Sequence, residues 1–148
     1  MKDFSPQGAI QSAHQGTLEE WMDSFLRGEG KNIALAYGLK KAKRYWYGPV
    51  QFPLNELIRC CGPEVDIKYH EPQATWDKRV DAIVSHIREG GALAPIIAQF
   101  TEDGLSIKDG NHRYAAYMKE GFDKYWTIIW FDDEKDLREF KQKHATKI

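Results

Sequence analysis

The sequence predicts an α/β fold in which helices pack around a small mixed sheet, with a mostly helical N-terminal extension. Three observations support this prediction. Residues 94–108 have a hairpin pattern, with apolar and β-branched residues on each side of a Glu-Asp-Gly turn. Residues 74–89 carry apolar side chains at helical spacing and are followed by a Gly-Gly pair. Residues 125–131 are almost continuously apolar, which is typical of an internal strand covered on both faces.

Length and charge limit the classes of function. The 148 residues fit one domain, 1–148, with a buried core. With 21 basic and 22 acidic side chains the net charge is −1, so no overall field attracts nucleic acid or a membrane. No apolar run approaches the ~20 residues of a membrane helix, and the first residues lack the apolar segment of a signal peptide. Adjacent Cys60 and Cys61 do not make a disulfide framework. We therefore expect a cytoplasmic protein without a membrane partner.

Residues 1–43 form the predicted N-terminal extension. The Gln, Ser and Gly content of residues 1–16 predicts no regular structure there. Thr17 and Glu20 have the spacing of a capping box, in which two side chains bond to backbone N–H groups at a helix start. They predict a helix whose apolar residues are Trp21, Phe25 and Leu26. A second short helix is predicted from Ile33, Leu35, Ala36 and Leu39.

A basic run at residues 40–44 is followed directly by the aromatic residues 45–47. Cations next to aromatic rings can bind single-stranded nucleic acid, the cations on phosphates and the rings on bases. A solvated helix end that leads into an aromatic-rich strand explains the same pattern. The short basic cluster and the slightly acidic chain favour this second explanation. A third alternative is that the segment covers the base of a bound nucleotide.

The middle of the chain predicts short elements and then a long helix. Residues 48–53 predict a strand that ends at proline, and residues 54–58 predict a short helix. Cys60 and Cys61 are expected late in that helix, as core residues rather than nucleophiles. An irregular polar segment, residues 64–72, precedes the long helix. The apolar stripe of the long helix is predicted to comprise Trp76, Val80, Ile83, Val84 and Ile87.

The C-terminal part of the chain predicts a helix, a strand and a last helix. Gly121 is placed to end the helix that begins after residue 109. The apolar strand follows, and the acidic residues 132–134 then cap the last helix. The residues of the last helix that face inward are predicted to be Leu137 and Phe140.

The candidate chemistry lies at residues 109–113, Asp-Gly-Asn-His-Arg, where a predicted strand gives way to a helix. The first N–H groups of a helix lack partners and attract anions. Gly110 lets an anion approach the backbone closely. Arg113 can make a two-pronged contact with phosphate oxygens, and His112 can transfer a proton near neutral pH. Asp109 can hold a divalent cation, act as a base, or simply cap the helix.

Residues 94–132 carry Pro-Ile-Ile, Asp-Gly-Asn-His-Arg, Ala-Ala and Trp-Thr-Ile-Ile in that order. This run resembles the ParB/sulfiredoxin superfamily, whose phosphate-binding motif also follows a strand. The Asp-Gly-x-His-Arg form is most similar to the free-serine kinase branch, which has Asp-Gly-His-His-Arg. The resemblance covers about the last hundred residues and is specific at the motif. It implies a small α/β nucleotide-binding domain.

The resemblance also implies roles for particular residues. Nucleotide phosphates would contact Gly110, Asn111, His112 and Arg113. In the resembling kinases a catalytic glutamate lies in the loop before the long helix. Glu71 is the preferred candidate for it here, and Glu64 is the alternative. By its own position in the first turns of that helix, Arg79 can reach a phosphate or a carboxylate, and a surface ion pair is the alternative. Asp109 and Glu71 would hold Mg²⁺, and the catalytic set would be Asp109, His112 and Glu71.

The leading functional hypothesis is a Mg²⁺-dependent ATPase or small-molecule kinase. It would use ATP or another nucleoside triphosphate and act on an unidentified small-molecule acceptor. The alternatives are a non-catalytic, regulatory nucleotide-binding module and a ParB-like nuclease. The sequence has neither a Walker loop nor a zinc-ligand spacing.

Departures from the superfamily pattern narrow these alternatives. Sulfiredoxin has its reactive cysteine at the position of Asn111, so sulfinic-acid reduction by that mechanism is not expected. The free-serine kinase has His at that position, so its phosphoryl acceptor does not carry over. A partitioning ParB would continue into a helix-turn-helix, so sequence-specific DNA binding is not expected either.

Overall fold

A computed structural model describes residues 3–144 of the chain. Its helices are α1 (Pro6–His14), α2 (Leu18–Arg27), α3 (Ile33–Leu39), α4 (Gln73–Arg88), α5 (Asn111–Lys119) and α6 (Glu134–His144). Its strands are β1 (Tyr45–Pro53), β2 (Leu57–Ile58), β3 (Cys61–Gly62), β4 (Tyr69–His70), β5 (Ile96–Thr101), β6 (Gly104–Asp109) and β7 (Lys124–Phe131).

Five strands form one mixed sheet in the order β1-β7-β5-β6-β2. The β1–β7 and β5–β6 pairs are antiparallel, whereas the β5–β7 and β6–β2 pairs are parallel. Strands β3 and β4 pair with each other outside this sheet. The predicted α/β class with a small mixed sheet is confirmed, and so is the hairpin of β5 and β6.

Strand β7 lies inside the sheet and is covered on both faces, as its apolar sequence predicts. Ile129 and Phe131 pack in one core with Phe140 of α6. Ile128 and Trp130 pack in a second core with the apolar residues of α2. Burying an aliphatic or aromatic side chain of this size contributes roughly 1.5–3 kcal/mol, so β7 holds both layers to the sheet.

The N-terminal extension covers one face of the sheet with three helices. Five residues of α2 are buried there, namely Leu18, Trp21, Met22, Phe25 and Leu26. The expectation that residues 1–16 lack regular structure is wrong for residues 6–14, which form α1. Ser5 caps this helix, since its Oγ accepts from Gly8 N at 3.3 Å, and Pro6 begins the helix with a backbone angle that already suits it.

Three further local predictions need correction. The Thr17 side chain does not cap α2; its Oγ1 donates to Ser12 O at 3.3 Å. Residues 54–58 form a 3₁₀ turn (Leu54–Glu56) and strand β2 instead of a helix, because Leu57 and Ile58 pair with β6. Cys60 and Cys61 consequently lie after β2 and in β3 rather than in a helix.

The predicted long helix is α4, which begins one residue earlier than expected and packs beside α5. Trp76, Val80 and Val84 of its apolar stripe are buried with Ala116. The segment before α4 is thereby held close to the start of α5. None of the helices within residues 3–144 is long and apolar enough to cross a lipid bilayer.

Candidate functional site

Helix α5 begins directly at the end of β6, with Gly110 between them. Gly110 has φ +100° and ψ 22°, a left-handed conformation that glycine adopts without strain. A Cβ atom at this position would lie 2.9 Å from Arg113 Nη2. Tyr114 N donates to Gly110 O at 2.8 Å, which is the first bond of the helix. The N–H groups of residues 111–113 therefore have no acceptor within the helix and face its open end.

Asp109 is buried and fixes the orientation of Arg113. Asp109 Oδ2 accepts from Arg113 Nη2 at 3.1 Å, and Asp109 Oδ1 accepts from Asn32 Nδ2 at 2.9 Å. Arg113 Nη2 also donates to Pro95 O at 2.9 Å. Both carboxylate oxygens of Asp109 are thus engaged by side chains. This geometry makes Asp109 a positioning residue for Arg113, whereas its roles as base or metal ligand stay predictions.

The Arg113 guanidinium lies over an aromatic ring of the N-terminal extension. Its Cζ atom is 5.7 Å from the centre of the Phe25 ring, within the range of a cation–π contact. Arg113 Nε is buried and has no hydrogen-bond partner among residues 3–144. Side-chain atoms of α2, α5 and β6 therefore meet at this guanidinium.

Glu71 and His112 form a hydrogen-bonded pair. His112 Nε2 lies 3.0 Å from Glu71 Oε1, and the side chains are 21% and 14% exposed. Arg79 Nη1 lies 3.5 Å from Glu71 Oε2. The imidazole is also supported by the Trp76 ring, with 4.6 Å between ring centres. A carboxylate that bonds to a partly exposed imidazole is an arrangement suited to proton transfer.

Glu64, the alternative to Glu71, makes a different contact. Its carboxylate pairs with the guanidinium of Arg59, and this bond lowers the pKa of the Glu64 carboxyl. Arg59 in turn lies over the Trp76 ring, at 5.1 Å from its centre. The structure therefore brings Glu71, rather than Glu64, to His112.

The Asn111 side chain is buried and binds protein rather than facing a ligand. Its Oδ1 accepts from Cys60 N at 2.9 Å and from Cys61 N at 3.4 Å. Its Nδ2 donates to Ile107 O at 3.4 Å. Only the backbone N–H of Asn111 stays at the helix opening. Burial, and next the negative charge of Glu71, raise the pKa of the Cys61 thiol.

A cavity of about 430 Å³ opens at the start of α5. Its lining combines the motif with α4 and with the loop between α2 and α3, and comprises Gly30, Lys31, Asn32, Arg79, Ala82, Ile83, Asp109, Gly110, His112 and Arg113. Lys31, Arg79 and Arg113 carry permanent positive charges, while Asp109 is the one carboxylate in this lining. The cavity therefore favours an anion.

Sequence reasoning missed the contribution of residues 30–32. No local motif marks them, because a Gly-Lys-Asn turn between two helices is a common connection. Their position at the cavity results from the packing of α2 against the sheet. Within residues 3–144, no group of three or more His, Cys, Asp or Glu side chains is arranged to hold a metal ion.

Comparison with known proteins finds a similarity among solved structures. No known protein-family model matches the chain, and no curated protein matches it. Among solved structures, sulfiredoxin from Arabidopsis thaliana is similar, with a TM-score of 0.43 and 23% sequence identity. The similarity covers 61% of this chain and 92% of that chain.

Proposed function

We propose that this chain binds a nucleoside triphosphate, with the phosphates in the cavity at the start of α5. One observation carries the proposal. Lys31, Arg79 and Arg113 line a cavity at the N-terminus of a nine-residue helix, and this helix follows a glycine with positive φ. Unpaired N–H groups, the helix dipole and converging cations all favour a phosphate there.

Residues 110–113 and Arg79 would share the binding of the phosphates. The N–H groups of residues 111–113 can bond to oxygens of one phosphate group, which approaches closely because Gly110 has no side chain. Arg113 is already oriented by Asp109, so little side-chain entropy is lost when it bonds. Arg79 is more exposed and can contact an outer phosphate group.

We further propose that the bound nucleotide is the donor in an ATPase or small-molecule kinase reaction. Phosphoryl transfer depends on held phosphates, neutralised charge and an oriented acceptor oxygen. Glu71, hydrogen-bonded to His112, would orient the acceptor and take its proton. His112 can donate to the charge that develops on the transferred group.

Mg²⁺ is the ion that we propose for this site. It prefers oxygen ligands and is usually bound by one or two carboxylates together with substrate phosphates. Glu71 is the carboxylate that would hold it here, with Asp109 as the second candidate. When bound, the ion would neutralise phosphate charge. Each oxygen of Asp109 already accepts one hydrogen bond, from Asn32 or Arg113, so a metal ion there would use a remaining lone pair.

A non-catalytic binding module is the second candidate, and one observation favours it. Both oxygens of Asp109 are engaged by side chains, so the motif carboxylate is committed to holding Arg113. A site of this kind binds phosphate but does not activate an acceptor that would attack it. Turnover then decides between the two candidates.

The test has two steps. Calorimetry with ATP, ADP and AMP, each with and without MgCl₂, measures binding, and we expect the affinity to increase with the number of phosphates. Nucleoside diphosphate release is then measured alone and with a panel of small hydroxyl metabolites. No binding at millimolar ATP contradicts the proposed function as a whole. Binding without release above background in any condition selects the non-catalytic module.

A further inference from the structure

The loop between α2 and α3 is held rigidly in an unusual conformation. Gly30 N donates to Phe25 O at 2.8 Å, and Asn32 N donates to Leu26 O at 2.7 Å. Lys31 lies between them with φ +50°, and it is the only non-glycine residue with positive φ among residues 3–144. A side chain disfavours this left-handed conformation, and residues held in it are concentrated at functional sites.

Lys31 lines the cavity at the start of α5 and is exposed. Its ammonium group makes no ion pair with any residue between 3 and 144, in contrast to Lys40, which pairs with Asp23 at 3.4 Å. A cation that lines a cavity and is unpaired within the described chain is suited to an anionic ligand.

The side-chain amide of Asn32 connects the extension to the motif, because its oxygen and its nitrogen bond to different partners. Its Oδ1 accepts from Leu35 N at 3.3 Å and so caps α3. Its Nδ2 donates to Asp109 Oδ1 at 2.9 Å. The other oxygen of Asp109 holds Arg113, whose guanidinium lies over Phe25 of α2. The extension therefore makes two separate contacts here: Asn32 bonds to Asp109, and Phe25 packs against Arg113.

We propose that the loop of residues 30–32 completes the phosphate site from the N-terminal extension. Lys31 contacts the phosphates that lie farther from α5, and Asn32 is a positioning residue that orients Arg113 through Asp109. This inference rests on the proposed function. It adds a preference for polyphosphates, because Lys31 supplies charge beyond the helix start.

The role of Lys31 is tested with Lys31→Ala and a matched control, Lys141→Ala. Lys141 is also exposed and lies outside the cavity lining, and its substitution removes the same charge. Calorimetry uses ATP, AMP and inorganic triphosphate. We expect Lys31→Ala to weaken ATP and triphosphate binding about ten-fold and AMP binding less than three-fold, with Lys141→Ala close to wild type.

The possible failures are distinguishable. Equal affinities of Lys31→Ala and Lys141→Ala for ATP overturn the role of Lys31 and leave the proposed function intact. An equal loss for ATP and AMP overturns the polyphosphate preference. A wild-type protein that binds none of the three ligands contradicts the proposed function itself.

The role of Asn32 is tested with Asn32→Ser. Serine caps a helix about as well as asparagine, but its side chain is too short to reach Asp109 as well. We expect ATP affinity to fall about five-fold and the melting temperature to fall as well, because the buried Asp109 carboxylate loses one hydrogen-bond donor. Asn32→Ala, which also removes the cap, should lower the melting temperature further.

A double-mutant cycle shows whether Asn32 acts through Asp109. In the Asp109→Asn background we expect Asn32→Ser to cause no further loss of ATP affinity. A loss of the same factor in both backgrounds overturns the positioning role, since Asn32 would then act independently of Asp109. Unchanged ATP affinity of Asn32→Ser in the wild-type background overturns it directly.

Discussion

Glu71 Oε1 and His112 Nε2 lie 3.0 Å apart although 41 residues separate them in the sequence. Two elements create this contact. Glu71 follows β4, where its N–H donates to Gly62 O at 2.8 Å, and His112 lies in the first turn of α5. The Trp76 ring then supports the imidazole from α4. The pair is therefore fixed by three elements and lies beside the motif that we propose binds phosphate.

Glu71→Gln is expected to abolish turnover and to change ATP affinity, measured without Mg²⁺, by less than about three-fold. Glutamine keeps the size of the side chain and a hydrogen bond to His112, but it cannot take a proton. The measurement is diphosphate release together with calorimetry. A proton acceptor that contributes to such a step is worth roughly 10²–10⁴-fold in rate.

Glu64→Gln is the matched control for that substitution. The substitution removes the same charge from the same segment, but the Glu64 carboxylate pairs with Arg59 instead of His112. We expect Glu64→Gln to release diphosphate at the wild-type rate. If the two variants turn over equally, Glu71 has no part in the chemistry.

Arg113→Ala is expected to weaken ATP binding ten-fold or more and to reduce the free energy of unfolding by about 2–3 kcal/mol. A bond from a charged donor contributes roughly 1.5–3 kcal/mol, and removing one partner of a buried pair leaves Asp109 uncompensated. Calorimetry and urea unfolding measure the two effects. Arg88→Ala removes an arginine that pairs with Glu120 at the surface and should change neither quantity noticeably. Unchanged ATP affinity in Arg113→Ala removes Arg113 from the site.

Gly110→Ala is expected to destabilise the fold by about 1–2 kcal/mol, because alanine must adopt the left-handed conformation at φ +100°. Its Cβ would also displace Arg113 Nη2 and weaken ATP binding. Gly38→Ala is the opposite control. Gly38 lies in α3 with no atom near a new Cβ, so alanine should stabilise the protein by about 0.5–1 kcal/mol. Urea unfolding of both variants is the measurement, and equal signs would contradict our account of Gly110.

The Cys61 thiol is expected to react with iodoacetamide more slowly than free cysteine at pH 8. Burial and the charge of Glu71 raise its pKa, so less thiolate is present, and reactivity should keep rising above pH 9. Glu71→Gln removes one of the causes of the raised pKa and should increase the rate. Tandem mass spectrometry separates Cys61 from Cys60, and the urea-unfolded chain is the reference. Faster reaction than in the unfolded chain would contradict the assigned surroundings of Cys61.

Local sequence patterns predicted several elements whose signal lies within a few residues. Three patterns each predict an element without long-range information. They are the turn at residues 102–104, the apolar stripe of α4 and the apolar run of β7. Thr17 shows the limit of such signals, since its hydroxyl bonds to Ser12 instead of capping α2. Residues 54–58 show another, because pairing with β6 overrides their helical preference.

The sequence by itself determined the α/β class, the hairpin and the strand-to-helix junction at residues 109–113. Only the tertiary structure decided which side chains meet there. It placed Glu71 rather than Glu64 at His112, turned Asn111 toward Cys60, and brought Asn32 to Asp109 across 77 residues. The physical reason is the distance along the sequence over which each kind of interaction acts. Periodicity and turn chemistry act between near neighbours, whereas these contacts depend on how α2 and α4 pack against the sheet and α5.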